Sequence, residues 1–179
     1  MVSEVYCMSM KQMARCAIMA ALTCVLAPVS VPLSTLVPIS LGTLVVMLSG
    51  TLLGKRDGTL SVLMYLLLGM AGLPVFAGYS SGPTALFGVT GGFLFGYLPL
   101  AFISGHFCEK NDDLKSMITG LVLGNAVLYL LGIIWFMIYL NAGLGKALAA
   151  CVLPFLPGDI VKITAVCLVT PRIRKYLNK

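Results

Sequence analysis

Apolar residues run through this chain in stretches too long and too nearly free of charge to be the core of a soluble domain, and this limits what it can fold into. Breaks in hydropathy, punctuated by Pro and Gly, place six such stretches near residues 11–28, 39–54, 59–72, 86–105, 115–140 and 150–171. A segment crossing lipid must pair every backbone N–H and C=O within itself, which a helix of about 20 apolar residues does. Six crossings use roughly 120 residues, and in a chain of 179 only short connections remain. Charged residues make up 10% of the chain, against roughly 25% in soluble domains, so a water-soluble globule is excluded. The expected fold is an all-α membrane protein, a compact bundle of six transmembrane helices forming one domain over residues 1–179.

Twelve Lys and Arg stand against six Asp and Glu. They are neither continuous nor interleaved with aromatics, so no nucleic-acid site is expected. Their distribution reads instead as topology. With six spans, Lys11, Arg15, Lys55, Arg56, Lys110, Lys115, Arg172, Arg174, Lys175 and Lys179 fall on one side. The opposite connections, 28–38, 73–85 and 141–149, carry only Lys146, and Lys162 lies within a span. The positive-inside rule then puts both termini on the cytoplasmic side of a cell membrane. The first apolar run lacks a clear small-residue cleavage site and is expected to stay as a span. Cys7, Cys16, Cys24, Cys108, Cys151 and Cys167 show no CxxC spacing. They read as small hydrophobes, neither disulfides nor metal ligands.

The polar residues inside the spans are few enough to weigh singly. Asp159 and Lys162, in Pro154-Phe-Leu-Pro-Gly-Asp-Ile-Val-Lys162, are three apart and share a helical face at the non-cytoplasmic start of the last span. Either they form a ligand site, since ionisable residues in lipid are costly and usually functional, or Asp159 caps the helix and Lys162 neutralises it. Asn125 and Tyr129, four apart in the fifth span, are either further ligand contacts or interhelical glue. The segment from Gly72 to Pro83, with Phe76, Gly78 and Tyr79, is glycine-rich yet uncharged. Such a loop suits folding back over something apolar, as a lid. The three prolines of 28–38 call for a non-helical connection. Gly88, Gly92 and Gly96 form a small-residue stripe suited to close helix packing, and Ala17 and Ala21 offer another, facing either the bundle or a partner. Ser49 to Arg56 departs from a P-loop at its first Gly and its last Ser or Thr. With no HExxH or GxSxG, and a single histidine, His106, the chain has no apparatus for hydrolysis, so neither an enzyme nor a metal or cofactor site is expected.

The run Gly72-Leu-Pro-Val-Phe-Ala-Gly-Tyr-Ser-Ser-Gly-Pro continuing through Gly88-Val-Thr-Gly91-Gly-Phe-Leu-Phe-Gly96 closely resembles the glycine-rich signature of the BioY family. Pro154 to Lys162 resembles that family's second signature, and the likeness extends from about residue 11 to 170. It includes Val37-Pro-Ile-Ser-Leu and Tyr129-Leu-Leu-Gly-Ile-Ile-Trp135. The chain departs from the pattern at Ser40-Leu-Gly42, where relatives carry Gln, and at Tyr79, where a smaller residue is commoner. The resemblance implies a biotin-binding S component of an energy-coupling factor transporter, working with a transmembrane coupling protein and two ATPase subunits. It implies ligand contacts at Asp159, Lys162, Asn125, Tyr79, Phe76, Gly78, Gly91 and Tyr129, and docking of the coupling protein at Ala17 and Ala21. Biotin's ureido N–H groups would meet Asp159, its apolar body the aromatics, and its carboxylate Lys162. The alternatives are an S component for another vitamin, or an intramembrane enzyme or scaffold.

Overall fold

The structure, a computed structural model, describes residues 8–31, 37–111 and 113–177. It is all-helical apart from one two-residue ladder. Helix α1, Met10–Leu26, starts where the Gln12 side chain accepts the Ser9 backbone N–H at 2.9 Å. It buries Cys16, Met19, Ala20 and Thr23 against the next helix. Its other face, with Ala17, Ile18, Ala21 and Val25, is exposed. Strands β1, Ser30–Val31, and β2, Ile39–Ser40, pair antiparallel, Ser30 opposite Ser40. Residues 32–36 of the proline-rich connection, like Cys7 and Lys179, lie outside the described residues.

Helix α2, Gly42–Met70, is two limbs rather than one rod. At Gly54 the backbone takes φ 87° and ψ 179°, open only to glycine. The chain then turns back on itself. A Cβ on Gly58 would lie 2.6 Å from the Ser49 carbonyl oxygen and 2.8 Å from the Gly50 Cα, an approach no straight helix brings about. The turn is held from outside by Glu109, which accepts the Lys55 N–H at 2.9 Å and pairs with its ammonium at 3.4 Å. The two limbs correspond to the second and third expected spans.

The expected irregular segment 73–85 is partly ordered, with a 3₁₀ turn at Ala77–Tyr79 and a short helix α3, Gly82–Leu86, opened by Pro83. Helix α4, Gly91–Lys110, therefore starts later than the fourth expected span and continues past it. Helix α5 is Leu114–Leu140, α6 Leu144–Cys151 and α7 Leu156–Leu177. The last expected span, 150–171, is displaced toward the C-terminus because residues 152–155, with Pro154, form a turn. Helices α6 and α7 meet there at 46°. Of the described helices, α4 and α5 are each long and apolar enough to cross a membrane, and the bent α6–α7 pair is a third candidate. The five described cysteines are free, and no cluster of metal-binding side chains occurs among the described residues.

Helices α4 and α5 pack through glycine. A Cβ on Gly92 would lie 2.7 Å from the Leu131 carbonyl oxygen, and one on Gly96 2.7 Å from Leu128 Cδ1. From the other side, Gly124 receives Leu100, and Gly132 the Phe93 ring. Gly88, the first member of the expected stripe, precedes the helix, and its carbonyl accepts the Trp135 indole N–H at 2.9 Å.

Candidate binding site

Asp159 and Lys162 lie one turn apart on α7, both buried. The capping alternative fails on geometry. Helix α7 begins at Leu156, the Asp159 N–H already donates to the Phe155 carbonyl at 2.9 Å, and the carboxylate points into the bundle. There it accepts from Asn125 Nδ2 at 3.0 Å, from the Tyr129 hydroxyl, and from Lys162 Nζ at 3.3 Å. The four-residue spacing on α5 brings Asn125 and Tyr129 to the same carboxylate oxygen, Oδ2.

Lys162 has its other two N–H groups engaged from the start of α2. Nζ donates to the Ser40 carbonyl at 2.9 Å and to Thr43 Oγ1 at 2.7 Å. Ser40 is itself fixed, its hydroxyl donating to the Ala27 carbonyl at 2.6 Å and accepting the Gly42 N–H at 2.8 Å. A buried ion pair is tolerable only when hydrogen bonds satisfy both groups, and these do. Asn125 Oδ1 is buried without a hydrogen-bond partner among the described residues, one acceptor left over beside the carboxylate.

The pair forms the polar end of a cavity whose remaining wall is largely aromatic: Tyr65, Phe76, Phe93, Tyr97, Tyr129 and Phe155, with Leu94, Leu128 and Val37. Phe93 stacks on Phe155 with ring centroids 6.0 Å apart, and Phe76 meets Tyr65 edge-on at 5.6 Å. The space between the walls, counted out through its open mouth, is about 590 Å³. About 50 Å³ of it is open to the centre of a water molecule, so the walls stand close together. Phe76 closes one side. It reaches down from the 73–85 segment onto Gly69, which has no side chain to block it, and is 1% exposed. The arrangement can hold a molecule with an apolar or planar body and polar groups at one end.

Asp159, Lys162, Tyr129 and Phe76 of the expected site thus share one cavity, with Asn125 bonded to Asp159 beside it. Three expected residues are placed elsewhere. Tyr79, at φ 60°, is 68% exposed, and Gly78 beside it has open space around it. Gly91 packs against Trp135, behind the wall. Ser40, Thr43, Tyr65, Phe93, Tyr97 and Phe155 belong to the wall and were not among the expected contacts. Phe93 and Phe155 stand within the two signature runs and Ser40 within the departure at 40–42, where its contribution is a backbone carbonyl; Thr43, Tyr65 and Tyr97 carried no sequence signal.

The BioY family profile matches residues 1–179. The biotin transporter BioY of Thermotoga maritima is 37% identical over 166 residues, covering 93% of this chain and 97% of that protein. The biotin transporter BioY of Rhodobacter capsulatus is 39% identical over 159 residues, covering 82% and 84%. Among solved structures, the crystal structure of the S-component for biotin from an ECF-type ABC transporter matches with a TM-score of 0.86 and 30% identity, covering 92% of this chain and 91% of that one. With the family profile spanning its full length and relatives of this similarity covering most of it, the chain belongs to the BioY family.

Proposed function

We propose that this chain is the biotin-binding S component of an energy-coupling factor transporter and that it captures biotin in the cavity beside Asp159 and Lys162. The observation that carries the reading is the buried ion pair at the polar end of an aromatic cavity, in a chain whose relatives are named biotin transporters. Biotin offers two ureido N–H donors, an apolar ring and chain, and a carboxylate. Asp159 accepts from the ureido group, Phe76, Phe93, Tyr97 and Phe155 enclose the apolar body, and Lys162 meets the carboxylate. Lys162 already makes three hydrogen bonds, so the ligand oxygen replaces one of those acceptors.

The chain carries no nucleotide motif, so uphill movement draws on a transmembrane coupling protein and two ATPases. It is not an enzyme, and biotin is cargo rather than cofactor. The two limbs of α2, with α1, α4, α5 and the α6–α7 pair, make six crossings, both termini in the cytoplasm, as the segregation of basic residues requires. Calorimetry of the purified chain against biotin, thiamine and riboflavin tests the assignment. One biotin per chain, recovered unchanged, is expected. Binding of another vitamin in preference overturns the substrate, and chemical turnover overturns the transport reading.

A further inference from the structure

A second cavity lies at the other end of the bundle, where the C-terminal half of α7 meets the end of α4 and the start of α5. It offers about 620 Å³ to water-sized molecules, far more than the aromatic site. Its walls are of two kinds. Arg172, Arg174 and Lys175 line it with positive charge, opposed among its described lining residues by the carboxylate of Asp113. Leu114, Met117 and Leu168 line it with hydrocarbon. Leu168 and Leu114 are 61% and 55% exposed, so the apolar wall opens sideways, toward lipid, and no described element covers it.

One of the three cations is immobilised. Arg174 Nε donates to the Thr51 carbonyl at 2.9 Å and Nη1 to the Cys108 carbonyl at 3.2 Å, tying α7 to α2 and α4. The hydroxyls of Thr51 and Thr170 meet at 3.1 Å beside it. The charge is therefore held at the wall by three helices rather than waving in solvent. Arg172 and Lys175 are exposed around it. A soluble anion has no use for the hydrocarbon wall, and a purely apolar occupant has none for the cations.

We propose that this cavity binds one anionic phospholipid, its phosphate among Arg172, Arg174 and Lys175 and an acyl chain along Leu168 and Leu114. Basic pockets between membrane helices near the surface recognise such headgroups. The orientation proposed above names the leaflet as cytoplasmic; the site itself does not depend on biotin. The full chain, stripped of lipid in detergent, is mixed with dioleoylphosphatidylglycerol or dioleoylphosphatidylcholine and read by native mass spectrometry. One phosphatidylglycerol is expected to be retained in several-fold preference over phosphatidylcholine. Arg172→Gln and Lys175→Gln are each expected to weaken retention about five-fold, the worth of one basic residue near anionic lipid. Leu168→Glu, on an exposed position, is expected to abolish it. Unchanged thermal unfolding shows that the variants fold. Equal retention of the two lipids, or indifference to all three substitutions, overturns the proposal. So does displacement of phosphatidylglycerol by millimolar inorganic phosphate, which would mark a site for a soluble anion.

Discussion

Asp159 and Lys162 are satisfied from different directions, and their substitutions have different consequences. Besides Lys162, the carboxylate has the neutral donors Asn125 and Tyr129 from α5, whereas the ammonium is held by Ser40 and Thr43 from the entry to α2. Asp159→Asn leaves a cation that keeps two acceptors. Lys162→Ala leaves a buried carboxylate with neutral donors only. Removing one partner of a buried pair costs about 3–5 kcal/mol, so Lys162→Ala is expected to lower the thermal midpoint well beyond Asp159→Asn. Both are expected to weaken biotin binding in calorimetry by about 1.5–3 kcal/mol, the worth of a hydrogen bond to a charged group. Biotin esterified at its carboxylate should bind the parent weakly yet lose little more in Lys162→Ala. These two residues, with Asn125 and Tyr129, were legible because i,i+3 and i,i+4 spacings put them on shared helix faces. Tyr97 and Thr43 were not, since their place at the site depends on how α4 and α2 pack around α7. Tyr79 misled for the converse reason: an aromatic in an uncharged loop suggests a buried contact, but the loop buries Val75 and Phe76 instead.

At the scale of elements, two features carry the architecture around the cavity. The α4–α5 pair is close because Gly92 and Gly96 admit Leu131, Trp135 and Leu128. Gly92→Leu puts side-chain atoms where the Leu131 carbonyl and Trp135 stand, and overpacking of this kind costs about 1–3 kcal/mol. A lowered thermal midpoint is expected, and since Phe93 and Leu94 follow on the same helix and line the cavity, biotin affinity should fall with it. The 73–85 segment is the second feature. Its polar backbone is pinned where the Phe76 N–H donates to the Ser80 carbonyl at 3.0 Å and the Gly78 N–H to the Pro28 carbonyl at 3.2 Å, while Phe76 fills the side of the cavity. It is expected to act as a lid. A cysteine replacing exposed Ser80, in a chain cleared of native cysteines, should label more slowly with biotin present; an unchanged rate would remove the lid and leave the pocket. Substituting Gly78 or Gly82, at φ 67° and 79° with open space around both, should impair capture through backbone strain rather than clash.

Across the whole molecule, α1 stands apart. It packs on α2 with one face and leaves Ala17 and Ala21 exposed, flanked by Ile18 and Val25. Among the described residues, the stripe therefore lies on the exposed side of α1. Ala17→Trp or Ala21→Trp is expected to leave folding and biotin binding by the isolated chain near normal while abolishing co-purification with a coupling protein and uptake. Loss of biotin binding in the same variants would return the stripe to an internal role. The sequence alone determined that the chain is helical and membrane-embedded, because backbone pairing in lipid admits little else, and it marked the residues whose charge is costly there. Local spacing also set which of them share a helix face. Tertiary structure decided the rest. The break at Gly54 divides α2 into two limbs, and glycines that admit the Leu, Phe and Trp side chains of the facing helix draw α4 and α5 together. Only then do Ser40, Thr43 and Tyr97, distant along the chain, meet Asp159 and Lys162. Apolar periodicity says which residues leave water, but in lipid every helix is apolar all round, so the pattern does not say which faces meet.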